Sequence, residues 1–163
     1  MYSVALFLAG AVFLSGCAPI ALLQTRGERA DTIAQNAGWN RESFAVGRFT
    51  LRGYRPRSIA AGGTLAVYIE GDGVAWATPT IRSSDPTPDD TITLQLAIQD
   101  PTPNWLYLAR PCQFLTPRDL AACNPAYWTS HRYAPEIVAA LNDAIEQAKR
   151  RTQARKIALF GYS

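Results

Sequence analysis

A chain of 163 residues, 48% apolar and 18% charged, has the material for one globular domain; with only three cysteines it is neither a disulfide-dense miniprotein nor a disordered or collagen-like segment. Its formal charge of +3 is too small for a nucleic-acid partner, which needs a concentrated basic face. The positive charge gathers at Arg48, Arg52, Arg55 and Arg57, in and after one predicted strand, and at Lys149, Arg150, Arg151, Arg155 and Lys156, around a predicted helix end where the macrodipole favours it.

From Val4 to Leu14 the chain is apolar except for Gly10, too short to span a bilayer and suited to the core of an export signal. It runs into Leu14-Ser15-Gly16-Cys17. These residues resemble the lipobox of bacterial lipoproteins. The resemblance implies a signal peptide over residues 1–16, a diacylglyceryl group on Cys17, and a membrane-anchored protein of the cell envelope facing the periplasm or exterior. With Cys17 so occupied, Cys112 and Cys123 are the pair left over, and an oxidising compartment allows a disulfide worth about 3 kcal/mol. Two free thiols or a metal site are the alternatives. Nothing else supports a metal, because the single histidine, His131, sits at no ligand spacing from either cysteine.

Residues 17–40 are polar with helical character and read as a tether, leaving 41–163 for the folded domain. Phe44 to Tyr54 alternates loosely and suits an antiparallel edge strand; Ala61-Gly62-Gly63 is a turn. Thr64 to Ile69, TLAVYI, is a near-continuous apolar run of the kind buried on both faces of a parallel sheet. It ends in Glu70-Gly71-Asp72-Gly73, where glycines let the backbone turn sharply and approach a ligand. After a Pro/Ser/Asp-rich loop, Asp89 or Asp90 is a plausible N-cap for a short helix over Thr91 to Ile98. Asn104 to Ala109 is a second buried-type strand, and 110–130 is irregular. Pro135 opens a long amphipathic helix with Ile137, Leu141, Ala144, Ile145 and Ala148 on one face. Lys156 to Phe160, KIALF, is a short buried strand. This order predicts an α/β domain: a mostly parallel sheet with helices on both faces and ligands at the carboxyl ends of its strands.

Both glycine-rich signals fall at such ends. Gly161-Tyr162-Ser163, directly after KIALF, is the start of a Gly-x-Ser-x-Gly pattern. That chemistry needs a serine on a tight strand-to-helix turn, because the strained geometry exposes the hydroxyl and leaves room for an imidazole. With TLAVYIEGDG at the earlier strand end, the chain from Phe44 to Ser163 resembles the α/β-hydrolase family. The resemblance implies Ser163 as nucleophile and the backbone N–H of Asp72 or Gly73 as oxyanion donor, each such donor being worth about 3 kcal/mol in the transition state. Glu70 and Asp72 stand where esterases of the family have His and Gly, which leaves open which N–H points inward.

The acidic and histidine members of the triad follow the serine in that family's chain order, whereas His131 precedes it and reads as a loop-packing residue. The sequence stops at Ser163, so the length reads as the position of a break at the nucleophile turn, and these residues alone are expected to be inactive and marginally folded. The function expected is a lipid-anchored serine hydrolase, without cofactor, acting on a small-molecule or lipid ester. A noncatalytic envelope lipoprotein using the same scaffold for binding is the alternative. A dinucleotide site is disfavoured, since Gly71-Asp72-Gly73 lacks a third glycine and an immediate helix. Trp76, Trp105, Tyr127 and Trp128 are available either for an acyl pocket or for the core.

Overall fold

A computed structural model describes residues 24–102 and 104–162. The polar stretch before residue 40 holds helix α1 (Arg26–Asn36). Thr25 caps it by a reciprocal capping box with Glu28, and Ala30 and Ala34 carry it into the core.

The next segment differs from the single edge strand its alternation predicts. Strands β1 (Trp39–Val46) and β2 (Phe49–Pro56) form an antiparallel hairpin paired from Trp39↔Pro56 to Val46↔Phe49. The two residues between them are Gly47 and Arg48, and Gly47 takes φ +55°. Glycine at the first central position is the signature of a tight hairpin turn whose twist matches that of the strands. Both Phe44 and Leu51, on opposite sides of this turn, are wholly buried.

Strand β3 (Thr64–Ile69) occupies the residues its apolar run predicts. Helix α2 (Ile92–Gln99) follows, with Thr91 rather than Asp89 or Asp90 at its N-cap and without a side-chain capping bond. Asp89 instead accepts a hydrogen bond from Arg26 at 2.7 Å. Then come β4 (Trp105–Leu108), the short helix α3 (Pro117–Ala121), a 3₁₀ turn at Pro125–Trp128, helix α4 (Pro135–Thr152) and β5 (Lys156–Gly161).

The sheet corrects the expected fold class. Its order is β1-β2-β4-β3-β5, and it is mixed: β1 with β2 and β2 with β4 are antiparallel, while β3 pairs parallel with both β4 and β5. A mostly parallel, hydrolase-like sheet is therefore not what this chain forms. Two of the four pairings run the other way because the hairpin turn at Gly47 reverses the chain before the first crossover.

On one face Phe44, Leu51, Leu65, Val67, Leu106 and Leu108 pack beneath α4 through Ile137, Ala140, Ala144 and Ala148. On the other, Trp39, Tyr54, Trp105, Tyr107 and Phe114 pack with α1 and α2 through Ala30, Ala34, Leu94 and Ala97. Strand β5, expected to be buried, lies at the sheet edge with Leu159 59% and Phe160 46% exposed.

Candidate functional site

The strand order reverses beside β3, with β4 added on one flank and β5 on the other. The crevice outside the carboxyl ends of parallel strands at such a reversal is where sheets of this kind hold ligands. Glu70 to Gly73 leave the end of β3, and Tyr162 leaves the end of β5. The two meet there: Tyr162 donates its N–H to Ile69 O at 3.3 Å, and Gly71 lies against Tyr162. A Cβ on Gly71 would stand 3.0 Å from both Cδ1 and O of Tyr162 and 3.4 Å from its carbonyl carbon. Only glycine lets the loop come this close. Gly73 is constrained more tightly, at φ +62°, where a Cβ would fall 2.1 Å from Pro86 O. Ser163, the expected nucleophile, lies outside the described residues, as does Cys17.

Beneath the loop lies a buried polar network. Glu70, 3% exposed, accepts three hydrogen bonds: from Gly71 N–H at 2.9 Å and Thr93 Oγ1 at 2.7 Å on Oε1, and from Tyr107 Oη at 2.9 Å on Oε2. A buried carboxylate is tolerable only when its lone pairs are met in this way. Burial, and then the neighbouring Glu70 carboxylate, push the Tyr107 hydroxyl well above its ordinary pKa, so it stays a donor.

The loop is also gripped from the segment after β4. Gln113, 2% exposed, donates Nε2 to Gly71 O at 2.8 Å and accepts Arg110 N–H on Oε1 at 3.0 Å. The Asp72 carboxylate pairs with Arg110 and, at 3.2 Å, with Arg132 Nη1. Its side chain is thereby held among cations, while among the described residues the N–H groups of Asp72 and Gly73 meet no acceptor. In this segment Cys112 and Phe114 adopt φ of +73° and +57°, a conformation that side chains with a Cβ seldom take and that persists where surroundings enforce it. The enforcement is visible. Cys112 is joined to Cys123 by a disulfide with Cα atoms 6.0 Å apart, and Phe114 N–H donates to Thr87 Oγ1 at 2.7 Å. Arg52 Nη2 donates to Phe114 O at 2.8 Å.

The aromatic residues separate. Trp105 and Trp128 are core, with Trp128 Nε1 donating to Ser83 O at 3.2 Å, and Tyr127 packs half-buried, edge-on to Phe49. Only Trp76 of the four is exposed; with Ile81, Arg82 and Arg132 it lines an open groove of about 660 Å³. His131 is exposed and bonded through Nδ1 to Ser130 Oγ at 2.8 Å.

Gln113 and Arg110 carry no mark in the sequence; they lie in a stretch with no periodicity, and their role follows from two left-handed residues that the residue types do not announce. Among the described residues no cluster of three or more His, Cys, Asp or Glu could hold a metal, and no helix is long and apolar enough to cross a membrane. Comparison of the chain with protein-family models, with curated proteins and with solved structures finds no match.

Proposed function

We propose that this chain belongs to an exported, lipid-anchored serine hydrolase of the bacterial cell envelope that cleaves an ester or related acyl bond. The observation that carries the reading is the contact of Gly71 with Tyr162 at the carboxyl ends of two adjacent parallel strands. The loop so joined has Asp72 and Gly73 N–H groups that meet no acceptor among the described residues, and Ser163, next in sequence after Tyr162, is the nucleophile proposed to act with it. In the reaction the Ser163 hydroxyl gives its proton to a general base as its oxygen adds to the acyl carbon. The carbonyl π pair moves onto the carbonyl oxygen, which takes the negative charge until the C–O bond breaks and the alcohol leaves with that proton. A fixed N–H at the end of β3 stabilises that oxygen without reorganisation. The kinship with α/β-hydrolases that the reading draws on rests on these two strand ends and not on the type of sheet. The imidazole and carboxylate that activate such a serine follow it in chain order in that family.

Anchoring through Cys17 is proposed on Leu14-Ser15-Gly16-Cys17, and an oxidising compartment accords with the Cys112–Cys123 bond. The decisive experiment is labelling by a serine-reactive fluorophosphonate of the protein expressed from its intact reading frame. Labelling that Ser163→Ala abolishes is expected. A folded protein that takes no label overturns the reading in favour of a noncatalytic binding scaffold.

A further inference from the structure

We infer that Gln113 is a positioning residue that selects the Asp72 N–H, rather than that of Gly73, as the oxyanion donor of the loop after β3. This rests on the hydrolase reading above and resolves what the motif leaves open. A peptide unit is planar, and in its trans form the C=O and the following N–H point to opposite sides. Gly71 O and Asp72 N–H belong to one such unit, so whatever fixes the first fixes the second. Gln113 Nε2 fixes Gly71 O at 2.8 Å from within the buried layer, Gln113 being 2% exposed. The Asp72 N–H therefore points away from the interior, towards the partly open side of the loop, and among the described residues it meets no acceptor.

The choice of residue is also explained. The site must offer a donor to Gly71 O and an acceptor to Arg110 N–H from a single side chain, and a primary amide carries both at one end. A carboxylate offers only acceptors and an ammonium only donors. The amide cannot turn over, because either backbone partner would then face a like group. The other end of the same loop residue is fixed too, as Gly71 N–H donates to Glu70 Oε1 at 2.9 Å. The two peptide units that flank Gly71 are thus each held by a buried side chain before any substrate arrives, which is the condition for electrostatic stabilisation to accelerate a reaction.

The test uses the protein expressed from its intact reading frame, a short-chain aryl ester as substrate, and an aryl boronate as mimic of the tetrahedral oxyanion. Gln113→Glu keeps the acceptor for Arg110 N–H and loses the donor to Gly71 O; Gln113→Met, close in volume, loses both. Each is expected to lower kcat about 100-fold with KM within about twofold, and to weaken boronate inhibition by the same factor as kcat. In the unsubstituted protein the Asp72 amide proton resonance is expected to move downfield when boronate binds, which needs no variant to fold. Wild-type kcat in a folded Gln113→Glu protein, or a boronate-induced shift at Gly73 with none at Asp72, overturns the assignment. Ser163→Ala separates the two claims. If it abolishes turnover while Gln113→Glu does not reduce it, only the positioning role falls. If turnover survives Ser163→Ala, the hydrolase reading falls and the role of Gln113 with it.

Discussion

The two faces of the sheet are built from different chemistry. Beneath α4 the side chains are almost wholly aliphatic or Phe: Phe44, Leu51, Leu65, Val67, Leu106 and Leu108 against Ile137 and a row of alanines. Under α1 and α2 the sheet instead presents Trp39 and Trp105 together with tyrosines whose hydroxyls reach carboxylates, Tyr107 to Glu70 and Tyr54 to Asp31 at 2.8 Å. The first face contributes stability through burial and is indifferent to direction. The second contributes less net free energy per hydrogen bond, since each replaces one to water, but it is directional, and through Tyr107 and Glu70 it reaches the loop after β3. The face that holds the site in place is the polar one.

Substitutions on the two faces should therefore fail differently. The largest loss is expected from Phe44→Ala in the aliphatic layer, about 3 to 5 kcal/mol in urea denaturation, because the cavity left cannot fully collapse. Replacing Cys112 and Cys123 together by serine, which unlocks the segment carrying Gln113, should cost about 3 kcal/mol, measured the same way under oxidising conditions.

Tyr107→Phe comes next, about 1 to 3 kcal/mol, since Glu70 Oε2 is left buried without its donor. This variant also sharpens the contrast by pH. Burial, first among its causes, raises the hydroxyls of Tyr107 and Tyr54 above the ordinary tyrosine value of 10.0. A raised folded pKa means that the stability they contribute is complete below pH 10 and is lost as pH rises towards the folded values. Denaturation across a pH series should thus show an alkaline decline, less steep in Tyr107→Phe; an unchanged decline would refute a contribution from that hydroxyl. The smallest effect is expected at the solvent edge. Tyr68 Oη donates to Asp100 at 2.6 Å, and this bond, first among the causes, lowers the Asp100 carboxyl below its ordinary 3.8. Its contribution is present above that value and is lost as pH falls through the lower folded one. Tyr68→Phe should change stability at neutral pH by less than about 1 kcal/mol, because the pair is solvent-screened.

What could be read from the residues divides along similar lines. The run Thr64 to Ile69 announces β3, and the apolar stripe from Ile137 to Ala148 announces α4, because burial on a sheet or a helix face imposes a period on the sequence. The hairpin escapes because Gly47 sits inside a loosely alternating stretch and passes for a strand residue, although glycine before the second strand is its turn signal. Strand direction escapes for a deeper reason: element order along a chain does not specify which edges pair, and the antiparallel contact of β2 with β4 joins segments that local pattern cannot relate. At the site, Gly71 and Gly73 are legible as backbone that must turn. The pairing of Asp72 with Arg110 and Arg132, and the amide of Gln113, depend on where an aperiodic segment returns in space.

The place of β3 between β4 and β5 has a consequence in time. Its β5 partner, aligned from Thr64↔Lys156 to Ile69↔Gly161, follows it by about 90 residues, which at about 5 to 20 residues synthesised per second takes about 5 to 20 s. Throughout that interval one long edge of β3 has no neighbour, and the loop after it has no Tyr162 to meet. Parallel pairing across such a separation is intrinsically slow, and the unmatched edge is exposed to wrong partners meanwhile. The nascent protein is thus most vulnerable while β3 waits with one edge unpaired, and the contact between Gly71 and Tyr162 marks the end of that wait.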